Sequence, residues 1–423
     1  MTSDTSQADQ AWADLDSPVG LTPLSYLEEG SEVTVGRPDT GSYCILPPDG
    51  AALLRRLQGG TSPRQAAVWY LAEYGDPVDI VEFLLAMSEL GFVTTDPEPV
   101  STGGRRYTGR GAHRHRRSCV RWQRLGAAAF SPLAWVLYGA IMLAAVIAMV
   151  RQPELAPHYE QLFFSPYLTV MELVLVFGQI PLLLFHESFH ALGGRRLGLP
   201  STFHVGRRLY YIVVETSLDG LVGVPRGKRY LPMLAGMLAD LLVISILTLI
   251  AGSVGSSGND FSLLAGVCLA LAFGTLLRFV WQFYFFLHTD LYYVVSTAMR
   301  CVNLQRTARQ MLGNRARRLL GRRDLLVDET SWHPRDRAVA RWYSWLLLVG
   351  YTVAIAVIPL VAIPTMLKVA RSVWDNLAGD HSAVGTVDGI AFLAVNAAQV
   401  ALLVTLIHRD RRRRRVASAH LID

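Results

Sequence analysis

Six runs of about twenty or more almost wholly apolar residues constrain this chain more than any other feature: Gly126 to Val150, Tyr167 to Leu192, Tyr230 to Ala251, Phe261 to about Met299, Tyr343 to Leu367 and Val387 to Ile407. A stretch of that length crosses a bilayer as a helix, because no water is present there to satisfy an unpaired backbone. With 51% hydrophobic residues over 423 positions, the expected fold is an α-helical polytopic membrane protein of about six transmembrane helices. The fourth run is too long for one simple helix, so a broken helix is expected there.

Arginine sets the expected orientation. Clusters lie at Arg105 to Arg124, at Arg195 and Arg196, at Arg226 to Arg229, from Arg300 to Arg341 and at Arg409 to Arg415. With six crossings, one starting side places all of them on the cytoplasmic face, whereas the opposite loop Gly252 to Asp260 has none and Lys368 and Arg371 are the modest exceptions on that side. This predicts a multi-pass protein of the cell membrane with both termini cytoplasmic. The net charge of +6 then reads as topology rather than nucleic-acid binding. The polar, acidic start, Met1 to Leu21, has no apolar core of the kind a cleavable signal needs. Cys44, Cys119, Cys268 and Cys301 lack metal-like spacing and are expected as free thiols.

Within the second run stands His186-Glu187-Ser188-Phe189-His190. Ionisable groups near the centre of a span cost roughly 2.5 to 3.5 kcal/mol each on insertion scales, so they need a partner or a cavity. Residues four apart share a helix face, so both imidazoles can serve one metal ion with Glu187 beside it. The arrangement predicts one Zn2+ per chain, held by His186 and His190, with Glu187 as general base. A third protein ligand is required. The end of the fourth run, Gln282 to Tyr293, supplies Asp290 as the expected ligand and His288 as its rival. Asp240, inside the third run, should face protein or water and support the site from behind. Leu218-Asp219-Gly220 reads as a hairpin turn after a β-rich stretch.

These features resemble the site-2 protease family of intramembrane zinc metalloproteases, in its bacterial peptide zinc metalloprotease branch, over roughly Leu168 to Thr297. The resemblance implies zinc ligation by His186, His190 and Asp290 and a base at Glu187. Where the family often has Asp-Gly at the ligand, preceded by Asn and Pro, this chain has Leu291, Gln282 and Phe285. Met237 and Asp240 replace the family's usual Pro and Asn. Gln282 is therefore the candidate oxyanion donor in place of the amide.

The region before the spans has a different texture. Val33-Thr34-Val35 and Tyr43-Cys44-Ile45-Leu46 flank Gly36 to Gly41 as a hairpin, and three short helices follow, the third starting near Asp76-Pro77. A small cytoplasmic winged-helix (α+β) domain is expected. Its phrases Leu54-Arg55-Arg56-Leu57-Gln58-Gly59-Gly60-Thr61 and Leu90-Gly91-Phe92-Val93 resemble the PqqD-like recognition domains of ribosomally made peptides. That resemblance implies leader-peptide binding as an added strand, with Tyr43, Cys44, Ile45, Leu46, Ile80, Phe83, Leu84 and Met87 forming the surface. A DNA reader is disfavoured, since the third helix carries Glu82 and Glu89 and no basic residue.

The expected plan is thus a disordered N-terminus at 1–30, the recognition domain at 31–96, a basic linker at 97–125 and the zinc protease core at 126–300. A cytoplasmic basic segment at 301–342, two more spans within 343–408 and a basic tail at 409–423 complete it. His113 and His115 read as solvated linker residues. The expected function is cleavage of a ribosomally synthesised peptide or its leader, with the bilayer, the precursor and export or modification proteins as partners. The alternatives are a regulatory protease cutting a membrane anchor and a non-catalytic export or immunity scaffold.

Overall fold

The computed structural model describes residues 15–94 except 38–39, residues 121–357 except 209–210, 219, 255, 258–259 and 331, six positions between 363 and 374, and residues 383–419. His113, His115, Cys119, Asp219 and most of the expected linker lie outside the described residues. The chain divides into two compact units, Met1–Ser131 with Phe189–Arg207 and Tyr211–Met233, and Pro132–Ser188 with Arg208–Tyr210 and Leu234–Asp423.

In the first unit, β1 (Ser25–Glu29), β2 (Glu32–Arg37) and β3 (Ser42–Leu46) form an antiparallel sheet in the order β1-β2-β3. The register places Tyr26 opposite Val35 and Val35 opposite Cys44. The β2–β3 hairpin matches the alternation in the sequence. β1 corrects it, because these five residues fall inside the 1–30 segment expected to be disordered. The ordered part begins still earlier: Leu21 bridges Val93, and the Thr94 N–H donates to Gly20 O at 2.9 Å.

Three helices follow, α1 (Pro48–Gln58), α2 (Pro63–Tyr74) and α3 (Ile80–Glu89). Ser62 caps α2 by accepting from the Gln65 N–H, and Gly75 ends it at φ 80, where a side chain would be strained. Asp79 accepts from Val81 N and Glu82 N, so α3 starts at Ile80 rather than near Asp76-Pro77. Leu53, Leu54, Leu57, Leu84 and Phe92 close the core, each contributing about 1.5 to 3 kcal/mol through burial. Ile80, Leu84 and Met87 belong to this core, which corrects their assignment to a peptide-facing surface: the apolar spacing that singled them out is the spacing of the helix's inner face. Burial pushes the Cys44 thiol up to about 11, so it stays protonated at neutral pH.

The same unit holds the hairpin β4 (Ser201–Arg208) and β5 (Tyr211–Leu218) and the first residues of a long helix. The turn expected at Leu218-Asp219-Gly220 includes Asp219, outside the described residues; a short 3-10 turn at Leu221–Gly223 follows it. The sheet is anchored there. Glu29 pairs with Arg226 at 2.9 Å and Arg229 at 3.0 Å, and Glu32 pairs with Arg226 at 3.1 Å. The Tyr43 ring covers Gly36 and lies against Gly220 and Gly223, so a side chain at Gly36 or Gly223 would collide with it. Tyr43 therefore packs the sheet against this turn.

Among the described residues, six helices are long and apolar enough to cross a membrane, as multi-pass membrane proteins require. A short helix α4 (Gln123–Ala129) precedes the first, α5 (Pro132–Arg151), so that span starts later than Gly126. Next come α6 (Leu168–Arg196), α7 (Arg226–Val254) and α8 (Leu263–Trp281). The long fourth run does break: a 3-10 turn at Phe285–Leu287 separates α8 from α9 (Asp290–Ala298). After α10 (Leu304–Leu319), the fifth crossing helix α11 (Pro334–Val357) starts ahead of the expected Tyr343, and α12 (Ala383–Ala419) provides the last.

In the second unit, small residues allow close approach. Gly178 faces Leu271, and Gly274 faces Gln179, so α6 and α8 meet with almost no gap. Polar contacts add specificity: Asp388 accepts from Leu168 N at 2.8 Å and Thr169 N at 3.1 Å, capping α6, while Glu172 accepts from Asn396 and Gln399.

Candidate metal centre

His186 and His190 stand one turn apart on α6, both buried, and Asp290 opens α9. The donor atoms of these three residues all lie within 4.8 Å of one another. His186 Nε2 is 3.3 Å from Asp290 Oδ2. A pair of donors this close can share one metal ion.

The far side of each imidazole is held. His186 Nδ1 lies 3.0 Å from Asp240 Oδ2, bent from an ideal hydrogen-bond line, and His190 Nδ1 lies 2.7 Å from Pro232 O. Metal-bound histidines characteristically present this pattern, one ring nitrogen to a carboxylate or carbonyl and the other to the ion. It leaves Nε2 of each residue as the ring nitrogen that could reach an ion. Gly193 makes the second contact possible, since a Cβ there would come within 2.9 Å of Pro232 Cα. Removal of that Cβ lets the two helix backbones meet.

Asp240 is 0% exposed and is also gripped by Arg278, whose NH2 lies 2.6 Å and Nε 3.1 Å from Oδ1. Arg278 NH1 in turn donates to Gln179 Oε1 at 3.2 Å, and Gln179 Nε2 donates to Leu271 O. Arg278 was missed by sequence reasoning. The signal existed, because an arginine inside an apolar helix needs a partner and Asp240 is the acid of the preceding span.

Asp290 is presented by a closed loop. Thr289 Oγ1 donates to Gln282 O at 2.7 Å, and Asp290 N donates to Gln282 Oε1 at 3.1 Å. The amide expected as an oxyanion donor therefore also holds the backbone of the third ligand. His288 takes the left-handed conformation at φ 56, and its ring sits 4.8 Å from that of Tyr292. Among the described residues it is not a member of the donor group. Asp290 is 21% exposed against 3% for His186, so the cluster is reached from the aspartate's side. Glu187 is buried next to His186.

Asp240→Asn is expected to weaken zinc binding about 10- to 100-fold, because the His186 ring loses the carboxylate that sets its tautomer. Competition with a chromogenic chelator measures this. Asp240→Asn alone leaves Arg278 without its counter-ion, so Asp240→Asn/Arg278→Gln is the companion that keeps the pair neutral. Unchanged zinc affinity in both variants would remove Asp240 from the site. No family model, curated protein or solved structure matches the chain.

Proposed function

We propose that the chain is a membrane-embedded zinc metalloendopeptidase that binds and cleaves a ribosomally synthesised peptide or its leader. The observation carrying this reading is the donor group of His186, His190 and Asp290, with each histidine held at Nδ1 by a fixed acceptor. A zinc ion held there would supply a Lewis acid and a bound water with a pKa near 7.

The chain's own groups do the rest. The Glu187 carboxylate takes the proton of the attacking water and returns it to the nitrogen of the leaving amine. Asp240 fixes the His186 ring, and Arg278 keeps Asp240 in place. Gln282 and Thr289 hold the loop that carries Asp290.

The N-terminal sheet supports the choice of a peptide substrate. β3 lies at the edge of its sheet, so an extended peptide can add to it through the backbone of Cys44, Ile45 and Leu46, with Ile45, which is outside the core clusters, reading its side chains. The ion pairs from Glu29 and Glu32 tie that sheet to the start of α7, the helix whose Pro232 carbonyl holds His190. Bound substrate would thus be retained by the unit that also carries His190. The arginine pattern supports a cytoplasmic position for both termini in the cell membrane. The test is cleavage of a small precursor peptide encoded beside this chain by protein reconstituted in liposomes, followed by mass spectrometry. A single cut that depends on both zinc and the N-terminal domain is the expected result.

A further inference from the structure

A second polar site lies where α10 packs on α11, outside the metal centre. The residues between the helices and the first turns of α11 enclose a cavity of about 510 Å³, a volume in the range of small-ligand pockets. Its wall contains Arg315, Arg318, Arg337 and Arg341 against one acid, Glu329, together with Trp332. Glu329 is engaged by Arg318 at 2.7 Å and more loosely by Arg337 at 4.0 Å. One carboxylate cannot balance four guanidinium groups. The excess of three positive charges calls for an anion with several oxygens.

Trp332 forms a buried part of this wall.

The surroundings decide which anion. The cavity is lined by the opening turns of α11, a helix long and apolar enough to span a membrane, which sets it at headgroup depth rather than in bulk solvent. Large apolar side chains stand exposed on the same two helices and at the cap of the first: Leu319 at 89%, Leu320 at 73%, Trp345 at 57% and Trp342 at 47%. Tryptophan is enriched at membrane interfaces and exposed leucine suits acyl chains. Arg315 lies over the Trp345 ring at 5.2 Å and donates to Ser344 Oγ, fixing the guanidinium on that side. We infer that this cavity binds the phosphodiester headgroup of an anionic phospholipid, its acyl chains running along the exposed Leu and Trp surface. Such a lipid would lock α10 to α11 at the membrane surface.

The test uses the full chain in neutral detergent micelles, with energy transfer from tryptophan to dansyl-phosphatidylglycerol. Saturable transfer is expected, competed by unlabelled phosphatidylglycerol and not by phosphatidylcholine. Arg337→Gln/Arg341→Gln should weaken it about tenfold or more, since each basic group near the surface contributes measurably to lipid attraction. Both side chains are exposed, so circular dichroism and zinc content should match the parent. Arg411→Gln/Arg412→Gln, in the basic tail, serves as the control for non-specific attraction and should bind as the parent does. Equal competition by phosphatidylcholine would overturn the inference, as would full competition by millimolar inorganic phosphate, which would make the ligand a free anion. Unaltered binding by the Arg337/Arg341 variant, or an equal loss in the tail variant, would also overturn it.

Discussion

Glu187→Gln is expected to retain zinc and bind peptide while cutting it about 100- to 10,000-fold more slowly, the range in which a positioned general base contributes. The amide preserves the volume and polarity of a buried side chain next to His186 but cannot accept the water proton. Separating binding from turnover is the purpose of this variant. Peptide binding is read by pull-down with the detergent-solubilised chain, and turnover by the liposome assay. Near-normal turnover with bound zinc would sink the protease mechanism, whereas an inactive parent that still binds peptide and metal would favour an export or immunity scaffold.

Much of the centre was legible because its chemistry conflicts with its setting. Two histidines four apart in an apolar run form one helix face whatever the tertiary structure, so His186 and His190 can be paired from sequence alone. Asp240 and Asp290 stood out for the same reason. Arg278 did not enter the reading, because span periodicity gives neither the depth nor the rotation of one helix against another. Its pairing with Asp240 crosses from α7 to α8.

The choice between Asp290 and His288 turned on local backbone rather than composition. A continuous helix makes the two residues differ only in face. The 3-10 turn at Phe285–Leu287 and the left-handed His288 instead interrupt the helix, and a new one starts at Asp290. The length of the run called for a break, but its position is hard to read where no Pro or Gly marks it. Strand β1 was hidden for another reason: Ser25–Glu29 has two acids at its end and forms an edge with one partly exposed face, so its pairing partner gives it structure more than its own apolar pattern does. In α3 the error ran the other way. Ile80, Leu84 and Met87 have helical spacing that fits both a ligand face and a core face, and burial decides for the core.

The purified chain is expected to hold about one zinc ion, and His186→Ala, His190→Ala or Asp290→Ala to lower its occupancy to near zero. Each change deletes one of only three protein donors, and a structural or catalytic zinc site normally needs at least that number. The variants differ in what else they disturb, which makes the set informative. His186→Ala leaves the Asp240–Arg278 pair its own close contact at 2.6 Å, so the helix packing around it should survive. His190→Ala removes the partner of the Pro232 carbonyl. Asp290→Ala keeps its backbone N–H to Gln282 Oε1, so the loop can close without the carboxylate. His288→Ala should keep its zinc, because that ring packs on Tyr292. Elemental analysis gives the metal count and circular dichroism checks that each variant is folded. Full zinc in Asp290→Ala with loss in His288→Ala would transfer the third position to His288, and full zinc in all four variants would place the ion elsewhere in the chain and remove the observation on which the protease reading stands.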